Sequence, residues 1–536
     1  MTKSPPHQKK PTLHNGFAWA RSTLRTGMGL FGAVVGFGVG LLLCGLVLDV
    51  SLSGLTLGQV ASGIEESGLT LAMGSLGEIM AAVLGLSLTV VAIVVQLASQ
   101  RYPARIVDLF MTDRRNTLFF AVLTSSCVFM VLAPTVATLR PAPVVTLGIA
   151  VCLTALNFGM LLPYFGHVFA FLEPASIITK IRARAEVALV RASRPGVDAV
   201  TLERCKSHVR QAIERISDNS MAAAHKSDRN LAMHTVRSLE GMVCDYLEAK
   251  GTLPASWATP EAGVMVTLSN EFRSRILSDN LWVEAKTLME FDRLLRASLG
   301  NQMSELISQL GASSRRIGQT ALVAQDMKVF ELTIQFFNTY LRHALNARDV
   351  RACYNVLYEY KLFATFMSSH EPRLSARVVE HMVYYGRTAN AMGLAFVTVT
   401  VAHDVRAMCE HLYDEPQGCD VGVLVRLLLT LDQASENRRQ ETALLGVRRA
   451  QAILGAFLLS RQEQALAQAI REDMQHEPQG RLVQVRDEIL GVQSNVFWEI
   501  TDRGVNFDYI EPERRPYLEA FFEPLLEDPA GVILPA

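Results

Sequence analysis

Charge of one sign is what this sequence lacks first. Its 51 Lys and Arg are matched by 52 Asp and Glu, for a net charge of −1. That balance excludes a chain built throughout to track a phosphate backbone. Ten of the basic and seven of the acidic residues fall up to Glu173, leaving 41 and 45 beyond it. The later part has no positive surplus either, and no nucleic-acid partner is expected. Paired cysteines are missing too. Cys44, Cys127, Cys152, Cys205, Cys244, Cys353, Cys409 and Cys419 are scattered without a CxxC, which argues against a disulfide framework and fits reduced thiols. The GxxxxGK[ST] loop, the GxSxG elbow and the HExxH helix are absent, so an enzyme reading has no residue to rest on. No cofactor and no metal are expected. His403, Cys409, His411 and Cys419 have metal-ligating types, but zinc needs convergent ligands and these share a helix face only loosely. The last lack is of long apolar runs beyond about residue 173.

Before that point such runs dominate. A bilayer core about 30 Å thick takes about 20 apolar residues in helical form. Four stretches qualify, at 27–48, 76–98, 118–139 and 144–172. The first follows a basic segment but has no small-x-small cleavage site after it, so it reads as a retained anchor rather than a signal peptide. The fourth contains Pro163, which predicts a kink or an interfacial end. Lys and Arg set orientation. The N-terminal segment carries Lys3, Lys9, Lys10, Arg21 and Arg25; the connection from Asp49 to Ser75 carries none. Arg101, Arg105, Arg114 and Arg115 follow the second span, and Lys180, Arg182, Arg184, Arg191 and Arg194 follow the fourth. The alternation places both termini in the cytoplasm and predicts a multi-pass protein of the cell inner membrane.

The faces of the spans carry the functional hints. Gly29, Gly32, Gly36 and Gly40 give the first span a close-packing edge. The second span places Ser75, Glu78, Ala82, Gly85, Thr89, Ala92, Gln96 and Ser99 at alternating steps of three and four, one small-polar stripe along the helix. Polar groups facing lipid lose their partners, so the stripe faces either another helix, as a packing seam, or water, as the lining of a solute path. A path lined by four helices per chain requires a homo-oligomer. Asn157, Tyr164 and His167 share roughly one face of the fourth span, at its cytoplasmic end. They read either as hydrogen-bonded packing or as a cluster with a proton-sensitive histidine. The membrane-proximal basic residues Lys180–Arg194 either hold the topology or attract an anionic surface, at about 1 kcal/mol each.

The stretch VAIVVQLASQRYPARIVDLFMTDRRNT, Val91 to Thr117, resembles the signature of a bacterial membrane-protein family known as domain of unknown function 2254. The matching residues are Gln96, Leu97, Ala98, Ser99, Tyr102, Arg105, Asp113 and Arg114, with Pro103 one place early. Leu162 to Ile181 also resembles the family, with Gly166-His167 where relatives tend to carry two histidines. The resemblance implies architecture and no activity.

From about Ile177 the pattern is helical, with apolar residues at three- and four-spacing in 201–217, 228–249, 285–310, 327–345, 350–368, 374–392, 395–413 and 421–432. Breaks are expected at Gly251–Pro254, Pro260, Gly311, Glu371-Pro372, Pro416–Gly418 and Pro478–Gly480. Ala395–Val401 (AFVTVTV) reads as a strand or a buried helix. No repeat consensus stands out. The fold class expected is all-α: a four-helix transmembrane domain at 27–175 behind a basic 1–26 segment, then a helical cytoplasmic domain of antiparallel hairpins at 176–500, solenoid-like or bundled. A 501–536 segment, rich in aromatics and charges, is expected to pack on it. Two functions fit: an oligomeric channel-like or transport-associated protein, or a membrane-anchored scaffold or sensor whose helical domain binds a cytoplasmic protein partner.

Overall fold

The structure, a computed structural model, describes residues 66–101, 113–137, 144–259, 269–414, 420–432, 438–497 and 503–527. It divides into two compact units, residues 1–177 and 178–536. Among the described residues the chain is helical, and the only strand-like pairing is the single bridge between Val496 and Val505.

The first unit contains α1 (Glu66–Arg101), α2 (Arg114–Ala137) and α3 (Val144–Leu172), each packed on the other two. All three are long and apolar enough to cross a membrane. They cover three of the four expected spans; the first, 27–48, lies outside the described residues. The packing is antiparallel. A Cβ placed on Gly77, early in α1, would lie 3.3 Å from the carbonyl oxygen of Met130, late in α2. Met80, Val91, Val94, Leu123, Met130, Ala150 and Val168 form the interior, while Leu71, Leu86, Leu132, Leu162 and Phe169 stand exposed on the outside. Large apolar side chains covering the outside of a bundle suit a hydrocarbon solvent. α3 runs unbroken through Pro163 to Leu172, the bounds expected for the fourth span. Spanning helices tolerate proline where local adjustments satisfy the freed carbonyl.

The second unit holds most of α4 (Pro174–Ala192). It continues with α5 (Ala199–His225), α6 (Arg229–Ala249), α7 (Asn270–Ser278), α8 (Trp282–Gly300), α9 (Ser304–Val323), α10 (Met327–Asn346), α11 (Val350–Ser368) and α12 (Pro372–Ala391). Then come α13 (Ala395–Asp414), α14 (Val421–Leu429), α15 (Arg438–Ser460), α16 (Gln464–Met474), α17 (Gln479–Gly491) and α18 (Arg515–Glu527). From α8 to α13 each helix packs on the next and on the next but one. Two layers result: α6, α9, α11, α13 and α15 in one, α5, α8, α10, α12, α14 and α16 in the other.

A rhythm underlies the layers. Helices α8 to α13 begin at residues 282, 304, 327, 350, 372 and 395, always 22 or 23 apart. Most of the connecting turns are alike. Asn280, Gln302, Gln325, Arg348 and Gly393 take left-handed φ values of 55, 54, 58, 53 and 73°, closing the preceding helix. After two of them an aspartate caps the next helix: Asp326 accepts from Val329 N at 3.2 Å and Asp349 from Ala352 N at 2.9 Å.

Two expectations are corrected here. The single segment 285–310 is two helices, broken at Asn301–Met303 where Gln302 turns left-handed. Gly311, expected as a break, is buried inside α9, because α11 comes close: a Cβ there would lie 3.2 Å from Glu359 Cγ. Ala395–Val401 opens α13 as helix. The interior is aromatic, with Phe337 stacked on Tyr360 at 4.8 Å and Trp257 beside Trp282 at 5.6 Å. Residues 503–527 are part of this unit: Ile510, Leu518, Phe521 and Phe522 are fully buried.

Candidate membrane-embedded site

The stripe of α1 is turned outward. Ser75, Glu78, Ala82, Gly85, Thr89, Ala92 and Gln96 are all exposed. The residues facing α2 and α3 are a different set, Gly77, Met80, Ser87, Val91 and Val94, offset by about half a turn. The three described helices are therefore not packed through the stripe. The hydroxyls of Ser75 and Thr89 fold back on their own helix, at 3.0 Å from the Leu71 oxygen and 2.8 Å from the Gly85 oxygen. A Cβ on Gly85 would meet nothing within 4 Å, so the stripe is a smooth open edge. The side chain of Ser99, with those of Arg101 and Arg114, lies outside the described set, as does all of Arg105.

At the end of the bundle where α3 finishes and α2 begins, four polar side chains meet in two pairs. Tyr164 donates to Asn116 Oδ1 at 2.5 Å, and both are buried. Its ring lies flat on Phe119 at 3.6 Å. One turn further on, His167 Nε2 comes to 3.3 Å from Asp113 Oδ2. Asp113 also caps α2, its Oδ1 accepting from Arg115 N at 3.0 Å. The arrangement is an interhelical clamp in which a tyrosine and an imidazole of α3 face an amide and a carboxylate at the start of α2. Of the expected cluster, Tyr164 and His167 come together here. Asn157 does not: it is buried two turns away, with Nδ2 bonded to the Leu153 oxygen of its own helix at 2.7 Å. Asn116 was not singled out by the sequence, and only its place three residues after Asp113 could have flagged it.

The basic residues separate. Arg115 is exposed. Arg182 points within the second unit, bonded to Glu186 at 2.6 Å and Asp245 at 2.6 Å over Gly241, where a Cβ would collide with its guanidinium. Burial alone lowers its pKa, but the Glu186 and Asp245 carboxylates outweigh that and raise it. Arg182 is thus a structural ion-pair partner, while Arg184 stays exposed. Among the described residues no group of three His, Cys, Asp or Glu converges to hold a metal. His403 is buried against Phe507, Cys409 is buried, His411 is exposed, and Cys419 lies outside the described residues.

Three long apolar helices closed on one another, dressed with lipid-suited side chains, define the class: an α-helical membrane protein. Residues 28–240 match the profile of the family described as Predicted membrane protein (DUF2254), so the resemblance read at Val91–Thr117 is shown over that span. The match runs from the spans through most of α6. No curated protein matches the chain. One solved structure, described as a circular tandem repeat protein with novel repeat topology and enhanced subunit contact surfaces, is similar over 86% of this chain and 96% of that one. The identity is 12% and the TM-score 0.33, a likeness too weak to carry an argument.

Proposed function

We propose that this protein works in the bacterial inner membrane as a homo-oligomer, in a channel-like or transport-associated assembly whose subunits meet along the α1 stripe, with both termini cytoplasmic. The observation that carries this reading is the outward direction of Ser75, Glu78, Gly85, Thr89 and Gln96 on a bundle whose own interior uses the other face of α1. Leaving a carboxylate against hydrocarbon is costly, and such groups in spans face protein or water. Small residues let a second backbone approach closely, and the open edge at Gly85 has room for one. The clamp of Tyr164, Asn116, His167 and Asp113 fixes the neighbouring end of the bundle.

The test is ion and solute flux through the full-length protein in sealed vesicles, with Gln96→Leu and Glu78→Leu as variants. Flux that falls in both variants, from a protein that cross-links to itself, supports the reading. Sealed vesicles with no flux under any gradient or voltage overturn it. The second reading then stands: a membrane-anchored scaffold or sensor whose two-layer helical unit, read as solenoid-like, binds a cytoplasmic partner. Regular stacking from α8 to α13 is what favours it, since helical stacks of this kind present extended binding surfaces.

A further inference from the structure

The second unit carries a groove of about 580 Å³ flanked by α4 and α5. Its charge has one sign: Arg184 and Arg191 come from α4, Arg204, His208 and Arg215 from α5, and no Asp or Glu is among its lining residues. The spacing explains the convergence. Positions 184, 187 and 191 form one face of α4; positions 201, 204, 208, 211 and 215 form one face of α5. Arg182, on another face of α4, is bound up with Glu186 and Asp245. Arg215 also holds Gln211 at 3.1 Å, and Asp198 acts on Arg204 while capping α5 through Thr201.

Thr201 and Gln211 add polar groups to the lining. Its exposed apolar surface is Val187, 65% exposed, and Ala183, with Ile181, Ala188 and Ala212 buried. A site that pairs several guanidinium groups with exposed aliphatic surface matches an amphiphilic anion: phosphate oxygens for the arginines and hydrocarbon for Val187 and Ala183. The volume lies within the range of small-molecule sites. Chain length says where such a molecule would come from. Arg184 follows Leu172, the last residue of the spanning helix α3, by twelve residues, all but one in helix α4, about 18 Å at 1.5 Å per residue.

We propose that this groove binds an anionic phospholipid of the surrounding bilayer, its phosphate held by Arg184, Arg191 and Arg204 and the start of its acyl chains lying on Val187 and Ala183. The site is separate from the α1 stripe and does not depend on oligomerisation or flux.

The test uses full-length protein, purified in detergent and stripped of lipid. Phosphatidylglycerol, phosphatidylcholine, inorganic phosphate and poly-glutamate are each titrated against it, and bound mass is read by native mass spectrometry. The double variant Arg191→Gln/Arg204→Gln alters two exposed side chains. Arg426→Gln, exposed on α14, is the control, and circular dichroism checks that all fold. Phosphatidylglycerol is expected to bind in preference to phosphatidylcholine and to resist displacement by millimolar phosphate. At about 1 kcal/mol for each basic group near an anionic headgroup, and tenfold for every 1.4, the double variant weakens binding about 30-fold and the control leaves it unchanged. The proposal is overturned if the folded double variant binds phosphatidylglycerol as the native protein does. Equal binding of phosphatidylcholine also overturns it, as does a groove that takes free phosphate or poly-glutamate but no lipid.

Discussion

Arg503 Nη1 donates to Asp404 Oδ1 at 2.6 Å, across 99 residues of sequence, with both side chains almost wholly buried. Lys361 reaches the same oxygen at 3.1 Å, and Arg503 Nη2 bonds the Tyr354 oxygen at 2.9 Å. The guanidinium lies 4.1 Å from the centre of the Tyr354 ring. Removing one partner of a buried pair costs about 3–5 kcal/mol when the other charge is left uncompensated; Lys361 still faces Asp404, so the loss here is smaller. Arg503→Gln is therefore expected to lower the melting temperature of the full-length protein in detergent and to expose 503–508 to proteolysis. An unchanged melting curve would show that residues 503–508 are not a latch.

The neighbouring pair is sensitive to acid. His403 Nε2 faces Asp508 Oδ1 at 3.4 Å, under the ring of Phe507, and Arg449 Nε reaches Asp508 at 3.0 Å. Burial depresses the His403 pKa, more than the Asp508 carboxylate restores, and the charges of Arg406 and Arg449 push the same way. Burial raises the Asp508 carboxyl, but its contacts with His403 first and Arg449 second bring it down to about 2. On unfolding, His403 regains an ordinary pKa near 6.5. The unfolded chain then binds a proton that the folded chain refuses, so stability is present above about pH 6.5 and lost as pH falls below it. The stability difference between the native protein and His403→Gln should shrink on acidification below 6.5, by at most about 1.4 kcal/mol per unit. A difference independent of pH from 8 to 5 would sink the assignment.

Much of the architecture was legible, and the reason differs by region. Lipid demands about 20 apolar residues per crossing, so the spans ending near Ala98, Leu139 and Leu172 could be read directly. The 22- or 23-residue rhythm was invisible because Asn280, Gln302, Gln325 and Arg348 share a φ sign and no chemistry. Gly311 looked like a break, while its task is close approach to Glu359. At the membrane site the stripe could be read from spacing, but its outward direction depends on which face α2 and α3 occupy. The Tyr164–Asn116 bond joins residues 48 apart, which no local pattern announces.

Opposing pH behaviour is expected at Arg448, whose guanidinium sits among three carboxylates. It pairs with Asp432, with Asp473 at 2.6 Å and with Glu477 at 3.0 Å. Burial raises the Asp432 pKa, Arg448 opposes this, and Asp473 adds to the rise, leaving it at about 6. Because that folded value exceeds the ordinary 3.9, the folded state holds the proton more tightly, and this contribution fades as pH rises through about 6. Among the described residues, Arg448→Gln removes the one counter-charge paired with Asp432. It should cost about 3–5 kcal/mol at pH 8 and less at pH 5, where Asp432 takes up a proton. Chemical denaturation at both values decides; equal losses would contradict the account.

Two effects compete at Gly318, and their sizes decide the outcome. Helix propensity alone favours Gly318→Ala by about 1 kcal/mol. Yet the new Cβ would lie 2.4 Å from Phe363 Cζ and 3.1 Å from Thr333 Cγ2, with Phe363 fully buried. Overpacking costs about 1–3 kcal/mol, so a net loss of stability is expected, read as a lower denaturation midpoint. A stabilised variant would mean that α9, α10 and α11 can spread apart without penalty.

The tie between Asp404 and Arg503 also has a consequence for how the molecule is made. A ribosome adding about 5–20 residues per second delivers Arg503 about 5–20 s after Asp404, and Phe507 and Asp508 follow His403 by a similar interval. During that wait the centre of the newborn stack holds an acid and an imidazole without their closing segment. Sealing is thereby gated by the late arrival of residues 503–508: the middle of the domain can be closed only by residues that leave the exit tunnel long after it.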